Sequence, residues 1–75
     1  MMFYIVKKDT LNKLVKSFVG GGYGLDYQDP NQTARNITNE VGRALKFDSV
    51  AIARRYLCKG YVVAHFDKDC LIEVK

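Results

Sequence analysis

A length of 75 residues with 48% hydrophobic side chains excludes a disordered chain and fits one small domain, 1–75, and no more. Twelve basic residues against eight acidic ones give a net charge of +4, which suits an acidic partner and equally suits ordinary solubility. No apolar run approaches the roughly 20 residues needed to span a bilayer, so no membrane partner is expected.

Met2 to Lys7 joins aromatic and β-branched residues without a breaker and reads as a strand. The next segment has two readings. Leu11, Leu14, Val15, Phe18 and Val19 recur at helical spacing behind the caps Asp9 and Thr10. The same residues also make a second strand, Lys13 to Val19, closing a hairpin through Asp9 to Asn12. Thr, Asn, Ser, Val and Phe are mediocre helix formers, which tips the reading to the hairpin. A Gly-rich loop of about 17 residues follows, 20–36, long for so small a domain. Thr38 is placed to cap a short helix from Asn39 to Arg43.

The last part of the chain reads as strand, capped helix, strand, strand. Ala44 to Phe47 is the first strand, and Asp48 or Ser49 caps the helix because a short side-chain oxygen accepts from its free N–H groups. Val50, Ala53 and Leu57 form the helical stripe, and Gly60 sits where a helix stops. Tyr61 to Phe66 and Cys70 to Val74 are strands joined by a turn at Asp67 to Asp69. The expected fold is α+β: a small, mainly antiparallel sheet of four to five strands with one main helix packed on one face. The expected core is Phe3, Ile5, Val6, Phe18, Leu45, Phe47, Val50, Ala53, Leu57, Val63, Phe66, Ile72 and Val74.

Chemistry-bearing motifs are sparse. Gly20, Gly21, Gly22 and Gly24 lack the Gly-Lys-Ser/Thr sequel of a phosphate loop. Cys58, His65, Asp67, Asp69 and Cys70 lack the close ligand pairs of a zinc site. A catalytic thiol needs a neighbour that lowers its pKa; Cys70 has only His65 across the hairpin, with no third orienting group. No catalytic residue, no metal ligand set and no cofactor is expected, and the chain reads as non-enzymatic. Two cysteines are too few for a secreted disulfide scaffold. The N-terminal apolar run is too short for a signal-peptide core. A cytoplasmic protein with reduced thiols is expected.

Two surfaces remain as binding candidates. Tyr23, Leu25 and Tyr27 in the long loop offer large contact area at low entropic cost, as interface tyrosines do. They point to a protein partner, or else they fold back over an open sheet face. Arg43, Lys46, Arg54, Arg55 and Lys59 form a basic cluster, with Arg55 and Lys59 one helical turn apart. They point to the phosphates of a nucleic acid, or else they complement the helix dipole. A core this small supplies roughly 3–5 kcal/mol, so a homodimer is a further way to gain burial.

The order Phe3 to Lys8, Lys13 to Phe18, Ala44 to Ser49 leading into a helix, and Tyr61 to Val63 resembles small uncharacterised proteins of phages and prophages in low-GC Gram-positive bacteria. In those proteins a hairpin begins the chain and an Ala-x-x-Phe-Asp/Ser strand leads into a helix. The resemblance adds weight to the hairpin reading and implies a phage-encoded accessory protein, a regulator or inhibitor of a host process. It carries over no functional residue, and the long Gly-rich loop departs from its pattern.

Overall fold

Strand β1, Tyr4–Lys7, is the centre of the molecule. Successive side chains of a strand point to opposite faces, and here both faces are apolar: Tyr4, Ile5 and Val6 are all buried. Such a run without polar alternation requires cover on both sides. The computed structural model describes residues 1–21 and 36–75. Among these, β1 pairs antiparallel with β2, Phe18–Val19, on one side and with β4, Tyr61–Asp67, on the other. Strand β3, Ile37–Thr38, extends the sheet beyond β2, and β5, Cys70–Glu73, extends it beyond β4. The result is a five-stranded antiparallel sheet of order β3-β2-β1-β4-β5.

The expected hairpin partner of β1 shrinks to two residues, and the helix alternative does not form. The cause is a side-chain clamp. The Thr10 hydroxyl donates to the Lys7 carbonyl at 2.8 Å and accepts from the Ser17 N–H at 3.0 Å, while the Lys7 N–H bonds the Ser17 carbonyl at 2.8 Å. Three residues in a 3-10 turn, Lys8–Thr10, thus close the connection, and Leu11 to Val15 follow as turns and bends.

Ala44–Phe47 is extended but is not a strand, because its hydrogen bonds are divided between two partners. Ala44 bridges Gly20 and the Leu45 N–H reaches the Val19 carbonyl at 3.0 Å, whereas Phe47 exchanges two bonds with Phe3 at 2.9 and 3.0 Å. The segment crosses from the end of β2 to the start of β1. Before it, the expected Asn39–Arg43 helix is a 3-10 turn, Val41–Arg43. Thr38 accepts the Glu40 N–H at 3.1 Å, a bond a cap could make, but the backbone at Glu40 is extended, with φ −100° and ψ 113°, so no helix starts at Asn39.

Helix α1, Val50–Arg54, begins as expected: the Ser49 Oγ accepts the Ile52 N–H at 3.1 Å. It ends early. Arg55, Tyr56 and Leu57 bond carbonyls only three residues back, at 3.0 to 3.3 Å, so the last turn tightens. That tightening accompanies Tyr56 stacking against Phe47, with ring centroids 5.1 Å apart, and Leu57 packing on the core. Gly60 does adopt the left-handed region, with φ 93°, but in the turn into β4 rather than at a helix end. A main helix laid across one face is therefore not what covers the sheet. Ala53 is the one buried residue of α1, and Leu45, Phe47, Tyr56 and Leu57 from its flanks supply the rest of the cover.

Alternation along β1 divides the interior in two. One half-core holds Ile5, Val19, Phe47, Ala53 and Val63; the other holds Tyr4, Val6, Phe18, Ala44 and Ala64. Of the expected core residues, Phe66 and Ile72 are 37% and 41% exposed and Val50 is half-buried, because they sit toward the sheet periphery or on the helix flank. Val19, Tyr4, Ala44 and Ala64 take part instead. No helix among the described residues is long and apolar enough to cross a membrane.

These placements predict that Ile5→Ala, at a fully buried position, lowers unfolding free energy by about 2–5 kcal/mol. Ile72→Ala at the exposed edge should lower it by no more than about 1 kcal/mol. Chemical denaturation of both variants checks the assignment, and equal losses would contradict it.

Candidate functional site: an open apolar sheet face

The half-core built on Tyr4, Val6 and Phe18 lies on the face away from α1. Register fixes what else stands there. Tyr4 is opposite Ala64, Val6 is opposite both Val62 and Phe18, and Leu71 is opposite Phe66. Three aromatic rings consequently meet on this face. Tyr4 stands edge-on to Phe18 at 5.8 Å and to Phe66 at 5.6 Å, and Phe18 lies 6.3 Å from Phe66. Edge-on geometry places the positive rim of one ring against the negative face of the next, so the trio is a defined platform and not a loose cluster.

Beside the platform is a groove of about 380 Å³, lined by Leu14, Val15, Lys16, Phe18, Asn39, Val41, Phe66 and Asp69. The Thr10 clamp explains part of it. By closing the loop between β1 and β2, it leaves Leu14 and Val15 out of the sheet ladder, 99% and 61% exposed, with Val41 and Phe66 partly exposed as well. Lone exposed apolar residues are ordinary; four around one concave surface are not. Lys16 and Asp69 place one charge of each sign among the apolar walls. A trough that alternates apolar walls with polar groups suits a segment that inserts an apolar side chain and fixes its direction by charge.

Tyr23, Leu25 and Tyr27 lie outside the described residues, and the site is built without them. The Arg43 Nε meets the Glu40 carboxylate at 2.9 Å, and the Lys46 ammonium turns back on the carbonyls of Val41, Gly42 and Ala44 at 3.4 to 3.5 Å. Arg54 and Arg55 are exposed at the end of α1, and Lys59 is exposed in the connection to β4. The five do not share one helix face, since α1 ends before Lys59.

Cys70 is exposed and stands opposite Asp67, while His65 stands opposite Ile72 with its ring edge-on to Phe3 at 6.1 Å. Cys58 is half-buried. Among the described residues no three His, Cys, Asp or Glu side chains converge.

Sequence reasoning missed the groove because Leu14 and Val15 fit a core stripe in either reading of their segment. The one available signal was the polar Asp9-Thr10 and Asn12-Lys13 surround, which marks a turn as well as a cap. Compared with known proteins, the chain matches no family model, no curated protein and no solved structure.

If Leu14 packs against nothing in the folded protein, Leu14→Asp should leave unfolding free energy within about 0.5 kcal/mol of the parent. A thermal or denaturant melt decides it; a loss beyond about 2 kcal/mol would show Leu14 to be core.

Proposed function

We propose that the protein is a non-enzymatic interaction module that receives an apolar segment of a protein partner in the groove beside the Tyr4, Phe18 and Phe66 platform. The resemblance to phage accessory proteins agrees with a regulator or inhibitor that acts by occupancy. The observation that carries the reading is Leu14, a large apolar side chain 99% exposed on the wall of a groove that Phe18 and Phe66 also line. Exposure of this kind destabilises nothing once folded, but it invites association, so its presence on a small protein favours a binding role. Aromatic anchors in a desolvated pocket are where binding energy concentrates.

Selection of displayed peptides against the purified protein tests it. Enriched peptides should carry aromatic or branched apolar anchors. They should bind Leu14→Asp and Val15→Asp at least about 10-fold more weakly, a loss of about 1.4 kcal/mol, while the melting temperature of both variants holds. Equal affinity for the parent and the variants would place the binding surface elsewhere, and no enrichment above an unrelated protein would remove the interaction reading.

A further inference from the structure

The fold assembles a positively charged end that no stretch of sequence contains. Lys7 closes β1 opposite Tyr61, and the Lys8 N–H bonds the Gly60 carbonyl at 2.9 Å. Lys59 is the neighbour of Gly60, so three exposed lysines from distant parts of the chain stand side by side. Phe47 is bonded to Phe3 at the start of β1 and Tyr61 is paired at its end, so the chain through α1 travels from one end of the sheet to the other. The Val74 N–H bonds the Val63 carbonyl at 2.8 Å, which brings Lys75 there too.

Among the described residues, acidic groups are mostly kept away. Asp67 and Asp69 flank the far tip of the β4–β5 hairpin, beyond the seven residues of β4, roughly 20 Å off at the rise of a strand. Asp48 precedes α1, near the opposite end of β1; Glu40 is engaged by Arg43; Glu73 is opposite Ala64 in mid-strand. Among the described acids, Asp9 alone follows directly on the lysines.

We infer that this end, centred on Lys7, Lys8 and Lys59, binds the phosphate backbone of a nucleic acid. Three lysine ammonium groups gathered beside a single described carboxylate, Asp9, repel one another in the free protein. A chain of phosphates removes that repulsion and releases its own counterions. The ligand is a polyanionic chain and not a lipid surface. Membrane docking needs apolar side chains to enter the interface beside the charges, and here the exposed Leu14 and Val15 open on the groove that Asp69 also lines. The surface is separate from the groove and stands whether or not the groove binds a peptide.

Fluorescence anisotropy with a labelled oligothymidine of about 16 nucleotides, titrated between about 50 and 200 mM salt, tests the inference. The parent should bind at the lower salt and weaken steeply as salt rises. The variant carrying Lys7→Gln, Lys8→Gln and Lys59→Gln should lose at least about 10-fold in affinity and show a salt slope shallower by about 2 to 3. The variant carrying Arg43→Gln and Lys46→Gln should bind as the parent does, because those cations are held by a carboxylate and by carbonyls. Unchanged melting temperatures confirm that each variant is folded. Absence of binding by the parent at low salt overturns the proposal. So does an equal loss in the Arg43 and Lys46 variant, or binding to phosphatidylserine vesicles without binding to the oligonucleotide.

Discussion

The structure depends on a strand that is apolar on both sides. Tyr4, Ile5 and Val6 are consecutive and all buried, so β1 cannot sit at an edge or rest on a single layer. It must be central, with a strand on each flank and cover over each face. Strand order, the path of the crossing segment through Phe47 and the division of the interior into two half-cores follow from that requirement. In a longer chain two helical layers would meet it. Here the means are few: a helix of five residues, a loop clamped by Thr10 and an aromatic trio.

The two faces are completed unequally. Opposite Ile5 and Val63, the descent from Leu45 through α1 to Leu57 brings Phe47, Ala53 and Tyr56 onto the sheet. Ala53 matters by being small, since it lets the helix approach closely enough for its flanks to seal the rest. Opposite Tyr4 and Val6, Leu11 packs at one margin but Leu14 and Val15 stand off. Among the described residues, the groove is the remainder of an incompletely covered face, and its walls come from a loop, a 3-10 turn and a hairpin whose sequences are otherwise polar. A surface built this way combines a rigid floor, the three rings, with walls of lower local stability. That combination is common where a fixed scaffold presents loops for recognition.

Much of the sheet is legible in the sequence because β-branched and aromatic runs act locally: β1, β4, β5 and the hairpin turn between the last two emerge from residue types alone. The Ser49 cap is legible for the same reason. What is not legible depends on pairing between distant segments. Whether Leu11 to Val19 is helix, strand or loop turns on one hydroxyl that bridges Lys7 and Ser17. Ala44 to Phe47 has strand composition, yet it is shared between two partners and forms no ladder. The basic residues near α1 lie close in sequence, yet Glu40 engages Arg43 and backbone carbonyls hold Lys46. The cationic end that does form recruits Lys7 and Lys8 from about fifty residues away, where no spacing rule reaches.

The central claim is that, among the described residues, one face of the sheet is sealed and the other is open at Phe66. The most direct test labels the four phenylalanines with fluorine and measures, by ¹⁹F NMR, the relaxation that a soluble paramagnetic agent induces at each ring. With Phe66 37% exposed against 7% for Phe47 and 4% for Phe18, relaxation should be strongest at Phe66 and weak at Phe18 and Phe47. A Phe66 ring as protected as Phe47 would mean that the second face is sealed as well, and the open-groove reading would fail.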